Sequence, residues 1–116
     1  RERHPRLSIA VVDGNHDRAL HHAGLDIELL GDAVRDGPFV LRHAPAFDPR
    51  GHVLCGHLHP VLKLPGQPRT QAFWLQPGCT ILPAFSAFTG GHPLRLGRGD
   101  VAVLCNGSAL VSLGAR

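Results

Sequence analysis

Val53-Leu54-Cys55 runs straight into Gly56-His57-Leu58-His59-Pro60, and this junction is the most informative stretch of the chain. The short apolar run reads as a strand, and the glycine and proline on either side of the histidines mark where it stops. Two earlier stretches repeat the arrangement. Val11-Val12 leads into Asp13-Gly14-Asn15-His16-Asp17, and Phe39-Val40-Leu41 leads into Arg42-His43-Ala44-Pro45. Polar residues of ligand type therefore follow three apolar strands. In layered α/β architectures such strand ends bring separate loops together over a rigid edge, which is where ligand and metal sites are assembled.

Outward from these junctions, further strands are expected from Leu7 to Val12, Val61 to Leu64, Ala72 to Leu75, Val101 to Cys105 and Ala109 to Leu113. The 14 Gly and 10 Pro punctuate the chain too often for long helices. One short helix is expected from Asp17 to about Ala23, with Gly24 as its stop. Asn106-Gly107 between two apolar runs signals a hairpin, so the C-terminal third should be mainly antiparallel sheet. Gly31-Asp32-Ala33-Val34-Arg35-Asp36 reads as a turn, and Gly90-Gly91 and Leu64 to Pro68 as loops. The fold class is α/β, mostly strands with few short helices.

The 116 residues suit one core rather than two. A chain that is 43% hydrophobic and 18% charged has enough apolar surface to exclude disorder throughout. No apolar run approaches the roughly 20 residues of a membrane-spanning helix, and Arg1-Glu2-Arg3-His4-Pro5 has no signal-peptide character. A cytoplasmic protein is expected, with no membrane partner. The chain begins at Arg1 and contains no Met, so it is expected to be a piece of a longer protein. Cys55, Cys79 and Cys105 are odd in number and widely spaced among apolar neighbours, which favours small buried thiols over a disulfide framework or a thiolate zinc site. The net charge of +3 would help an anionic ligand approach without specifying one.

Nine histidines need sorting. His4, His21 and His22 are expected to face solvent, and His52 and His92 to be surface residues at strand starts. His57 and His59, two residues apart on an extended backbone, would project to one side and supply nitrogen to one metal or to two neighbouring metals. A pair of exposed loop histidines would carry the same letters. Within Gly14-Asn15-His16-Asp17, the glycine permits a tight turn, and Asn15 offers an amide oxygen to a metal. His16 can donate a proton to a leaving oxygen, with Asp17 orienting its ring. Asp17 can equally cap the following helix, and the two roles are compatible.

In this order, GNHD (residues 14–17), His43-Ala44-Pro45 and GHLH (residues 56–59) resemble the C-terminal half of the calcineurin-like metallophosphoesterase superfamily. Leu82-Pro83-Ala84-Phe85-Ser86-Ala87-Phe88-Thr89-Gly90-Gly91-His92 further resembles a subgroup, the bacterial ligase-associated DNA-damage-response phosphoesterases of the PdeM type, described as endonucleases. The resemblance implies the C-terminal half of a four-layer αββα sandwich, so that residues 1–116 would form one partial domain lacking its N-terminal metal-binding half. It implies two divalent transition metals, manganese, iron or zinc. Asn15, His43 and His57 would bind one and His59 the other. His16 would face the phosphate without binding metal, supported by Asp17. The implied substrate is a phosphate ester or DNA, and the implied partners are a DNA ligase and a helicase of a repair system. The superfamily's DxH strand end and GDxxD motif, which supply the bridging carboxylate, do not occur upstream of Gly14. The site is therefore expected to be incomplete and the chain alone weakly active or inactive. The rival expectation is a non-catalytic metal-binding or nucleic-acid-binding module that docks on DNA-repair partners.

Overall fold

The computed structural model describes residues 6–14, 27–85 and 90–114, and among these the secondary structure is strand and turn throughout. The elements are β1 (Ala10–Val11), β2 (Glu28–Leu29), β3 (Ala33–Asp36), β4 (Phe39–Arg42), β5 (His52–Cys55) and β6 (Pro60–Leu62). They continue with β7 (Thr70–Gln76), β8 (Cys79–Ile81), β9 (His92–Pro93), β10 (Val101–Cys105) and β11 (Leu110–Gly114). The predominance of strand agrees with the expected fold class. The expected helix from Asp17 lies outside the described residues.

One nine-stranded sheet runs in the order β11-β10-β7-β8-β5-β4-β3, with β6 pairing β7 off this path and β9 pairing β6. Its centre is parallel: Val40 pairs Val53, and Cys55 pairs Ile81. The flanks are antiparallel, with Trp74 opposite Ile81 and Ala102 opposite both Trp74 and Leu113. β1 and β2 make a separate parallel pair.

Alternation along β5 and β10 sends every second side chain inward. Val40, Val53, Cys55, Cys79 and Ile81 form one buried cluster, and Ala72, Leu94, Ala102 and Leu104 another. Trp74 packs against both. Its indole N–H donates to Asp100 Oδ2 at 3.0 Å, so the ring joins the clusters without leaving a buried donor unpaired. Complete burial of Val40 and Val53 is worth about 1.5–3 kcal/mol each.

Several expected boundaries change. Leu7 to Val12 contracts to the two residues of β1. Most of the stretch 31–36 is strand β3, joined to β4 by a two-residue turn in which Gly37 takes φ +58°, the sign such a hairpin needs. Arg35 and Asp36 disguise it, because charge is tolerated on an outermost strand. β2 and β8 were not expected, and β9 only as a strand start at His92; it includes Pro93, and a two-residue strand at a sheet edge leaves almost no sequence signal. The Asn106-Gly107 signal holds as a four-residue loop closing β10 on β11, with Asn106 Oδ1 accepting from Ser108 N and Ala109 N at 2.9 Å each.

Candidate metal centre

Because β4, β5 and β8 are parallel, the loops that follow them leave from the same edge of the sheet. The loop after β4 begins with His43 and the loop after β5 with Gly56-His57. Gly56 N–H donates to His43 O at 2.9 Å, tying the two together. His43 Nε2 and His57 Nδ1 then stand 2.9 Å apart, with ring centroids separated by 4.8 Å and ring planes at 66°. His43 is half-buried and His57 exposed. Residues 14 apart in sequence are thus brought into contact.

The backbone around His57 is not the extended one expected. Leu58 N–H donates to Gly56 O at 2.9 Å across His57, whose φ is +71°, which makes a γ-turn. His59 is also left-handed, with φ +53°. The chain must step here from β5 to β6, which pairs with a different strand, and an extended Gly-His-Leu-His could not make that lateral step. Each left-handed non-glycine residue costs on the order of 1–3 kcal/mol and persists only where its surroundings over-determine it. The two histidines consequently face different partners instead of one side. His57 meets His43, whereas His59 Nδ1–H donates to Gly90 O at 3.3 Å. A carbonyl can only accept, so this bond leaves His59 Nε2 as the nitrogen with a lone pair, the usual state of a metal-binding imidazole.

The 2.9 Å between His43 Nε2 and His57 Nδ1 is a hydrogen bond in which one ring donates its N–H to the other; both nitrogens could bind one ion only as lone-pair donors, at the slightly wider spacing of a tetrahedral site. Among the described residues no three His, Cys, Asp or Glu side chains converge on one point. Asn15, His16 and Asp17 lie outside the described residues; the strand end before them is anchored by Asp13 N–H donating to Gly31 O at 2.8 Å.

Sequence reasoning missed two supports of this edge. Asp48 is buried and accepts from Arg50 N at 2.9 Å, Arg50 Nε at 3.0 Å and Arg50 Nη2 at 2.7 Å. The Arg50 hydrogen bonds hold its carboxyl well below the usual range, at about 2, with Arg42 assisting. This clamp fixes the loop that starts at His43; an Asp-Pro-Arg turn was its only trace in the sequence. Gly91 is the second support. A β-carbon there would run into the Val61 side chain, so only glycine lets β9 approach β6 and present the Gly90 carbonyl to His59. Arg69 Nη2 holds the same segment through Gly91 O at 3.3 Å.

The remaining candidates are structural. His52 Nε2 contacts Thr80 Oγ1 at 2.8 Å at the start of β5, the end of that strand opposite His57. Cys55 and Cys79 are free and buried, with sulfurs 3.7 Å apart. Burial, then the neighbouring Cys79, pushes the Cys55 thiol up to about 12, so it stays protonated in the core. Among the described residues no helix is long and apolar enough to cross a membrane.

No protein-family model and no curated protein matches the chain. Among solved structures it is similar to the crystal structure of Pseudomonas putida nuclease MPE, at 33% identity and a TM-score of 0.85. The match takes in 97% of this chain and 57% of that one, so the chain spans little more than half the length of the nuclease it resembles.

Proposed function

We propose that this chain is the histidine-donating part of a metal-dependent phosphodiesterase of the calcineurin-like superfamily, acting on nucleic acid. The observation that carries the reading is the contact of His43 Nε2 with His57 Nδ1 at the ends of two parallel strands. The likeness to a nuclease supports it. A ligase-associated role in DNA damage response, with a DNA ligase and helicase as partners, follows from the resemblance of residues 82–92 and is part of the same proposal.

In this reading Asn15, His43 and His57 hold one divalent transition metal, and His59 Nε2 contributes to a second. Manganese, iron or zinc in these positions supplies a Lewis acid for the phosphate oxygens and a more acidic water. The chain's own work is positional and protic. The Gly90 carbonyl fixes the ring of His59, and the Asp48 clamp fixes the loop of His43. His16 gives its proton to the leaving oxygen, while Asp17 keeps that imidazole oriented and cationic.

The test combines elemental analysis with turnover of a simple phosphodiester after loading with Mn²⁺, Fe²⁺ or Zn²⁺. His43→Ala and His57→Ala should each lose most bound metal, and His21→Ala none. In a longer chain that also supplies the bridging carboxylate, His16→Ala should keep its metal yet lose turnover by roughly 10²–10⁴-fold. Equal metal content in wild type, His43→Ala and His57→Ala would overturn the site. Full metal content without hydrolysis in the longer chain that supplies the bridging carboxylate would favour a non-catalytic module.

A further inference from the structure

Beside the histidine edge the structure has a second feature that metal binding does not use. An open hollow of about 1000 Å³ lies over β7 and β10, with Phe73 and Cys105 on its floor and Leu82 to Phe85 as a wall. Gly56, the residue before His57, forms its corner, and Arg69 stands on its rim. The wall is rooted at the site, because Leu82 N–H donates to Cys55 O at 2.8 Å. Phe85 is fully exposed, an unusual position for a large apolar ring.

We propose that this hollow is a nucleobase subsite: a base adjoining the bound phosphate lies against Phe85 and Phe73, while Arg69 holds the neighbouring phosphate. The inference rests on the phosphodiesterase reading and extends it from the reacting phosphate to its flank. Three features favour a nucleic acid strand as occupant. A flat aromatic surface stacks on any base, so an exposed phenylalanine gains most of its burial from a planar partner. The cation at the rim matches a polyanion, and among the described residues no Asp or Glu lines the hollow to repel one. Gly56 and Gly107 carry no side chains to obstruct a ring entering between the wall and the β10–β11 turn. Asn106 Oδ1 is already committed to Ser108 and Ala109, so this acceptor is not available to read base edges and the subsite should tolerate sequence.

The experiment measures binding of a fluorescent oligothymidine and of an abasic oligomer of equal length by anisotropy, with Mn²⁺ present and readings taken before turnover. Phe85→Ala should weaken oligothymidine about 5- to 100-fold and leave the abasic oligomer unchanged; Phe85→Trp should restore oligothymidine binding. Arg69→Ala should weaken both and lower the salt slope by about one phosphate contact. If Phe85→Ala affects neither oligomer, or both equally, the subsite is overturned while the phosphodiesterase reading stands. If the wild-type chain binds neither oligomer, the phosphodiesterase reading falls and takes the subsite with it.

Discussion

The parallel trio β4-β5-β8 and the antiparallel trio β7-β10-β11 share one sheet but use their polar residues differently. Parallel neighbours cannot be joined by tight turns, so their loops are longer and all leave from one edge. There His43 and His57 meet across a gap between loops. Antiparallel neighbours can be closed by short turns, as β10 and β11 are, and the polar groups in and before β10's turns are spent locally. Asn106 satisfies two amides of its own hairpin, and Asp100 Oδ2 accepts from Gly97 N at 2.9 Å as well as from Trp74. The polar side chains of the hairpin thus close their own backbone, whereas His43 and His57 meet each other across two loops.

Core substitutions should separate the two regions most strongly. Ile81 is almost fully buried and pairs with Cys55 directly beneath the His57 loop. Ile81→Ala should cost about 2–5 kcal/mol in chemical denaturation, and metal affinity should fall with it. Asp100→Ala, which orphans the Trp74 and Gly97 donors at the other end of the antiparallel trio, should cost about 1–3 kcal/mol with metal affinity unchanged. An equal loss of affinity from Asp100→Ala would break the division.

Acid should sharpen it. The carboxyl of Asp48 is held at about 2, against 3.8 for a free group. A depressed folded-state value means that its contribution is fully present above about pH 4 and disappears as the pH falls through about 2. The difference in melting temperature between wild type and Asp48→Asn should therefore be constant from pH 7 to 5 and shrink between pH 4 and 2. A pH-independent difference would show that the clamp acts by packing alone.

The smallest effect belongs to the outer edge. Leu110 and Val111 of β11 are exposed on a strand whose other side has no partner among the described residues. Leu110→Lys should change stability by less than about 0.5 kcal/mol, and any self-association through this edge, read by sedimentation, should fall. Unchanged association would place the sticky surface elsewhere.

Strands with an apolar run and turn residues at both ends were legible in the sequence, β10 to the residue and β4, β5, β7 and β11 within two residues. β3 and β9 were not, because edge position relaxes the composition that marks a strand. For the site, the strand-end pattern located His43 and His57, but spacing alone could not pair them; that came from the order of three motifs. The left-handed turns at His57 and His59 were hidden for a physical reason. Positive φ is announced by glycine or asparagine, and a histidine held there by its surroundings gives no such sign.

Those two turns set the direction in which the chain drifts when function is not selected. Glycine at 57 or 59 would relieve the backbone, so a screen for heat resistance alone should enrich His57→Gly and His59→Gly over alanine at the same positions. Such enrichment would mark histidine at these positions as kept for something other than folding, without any second sequence to compare.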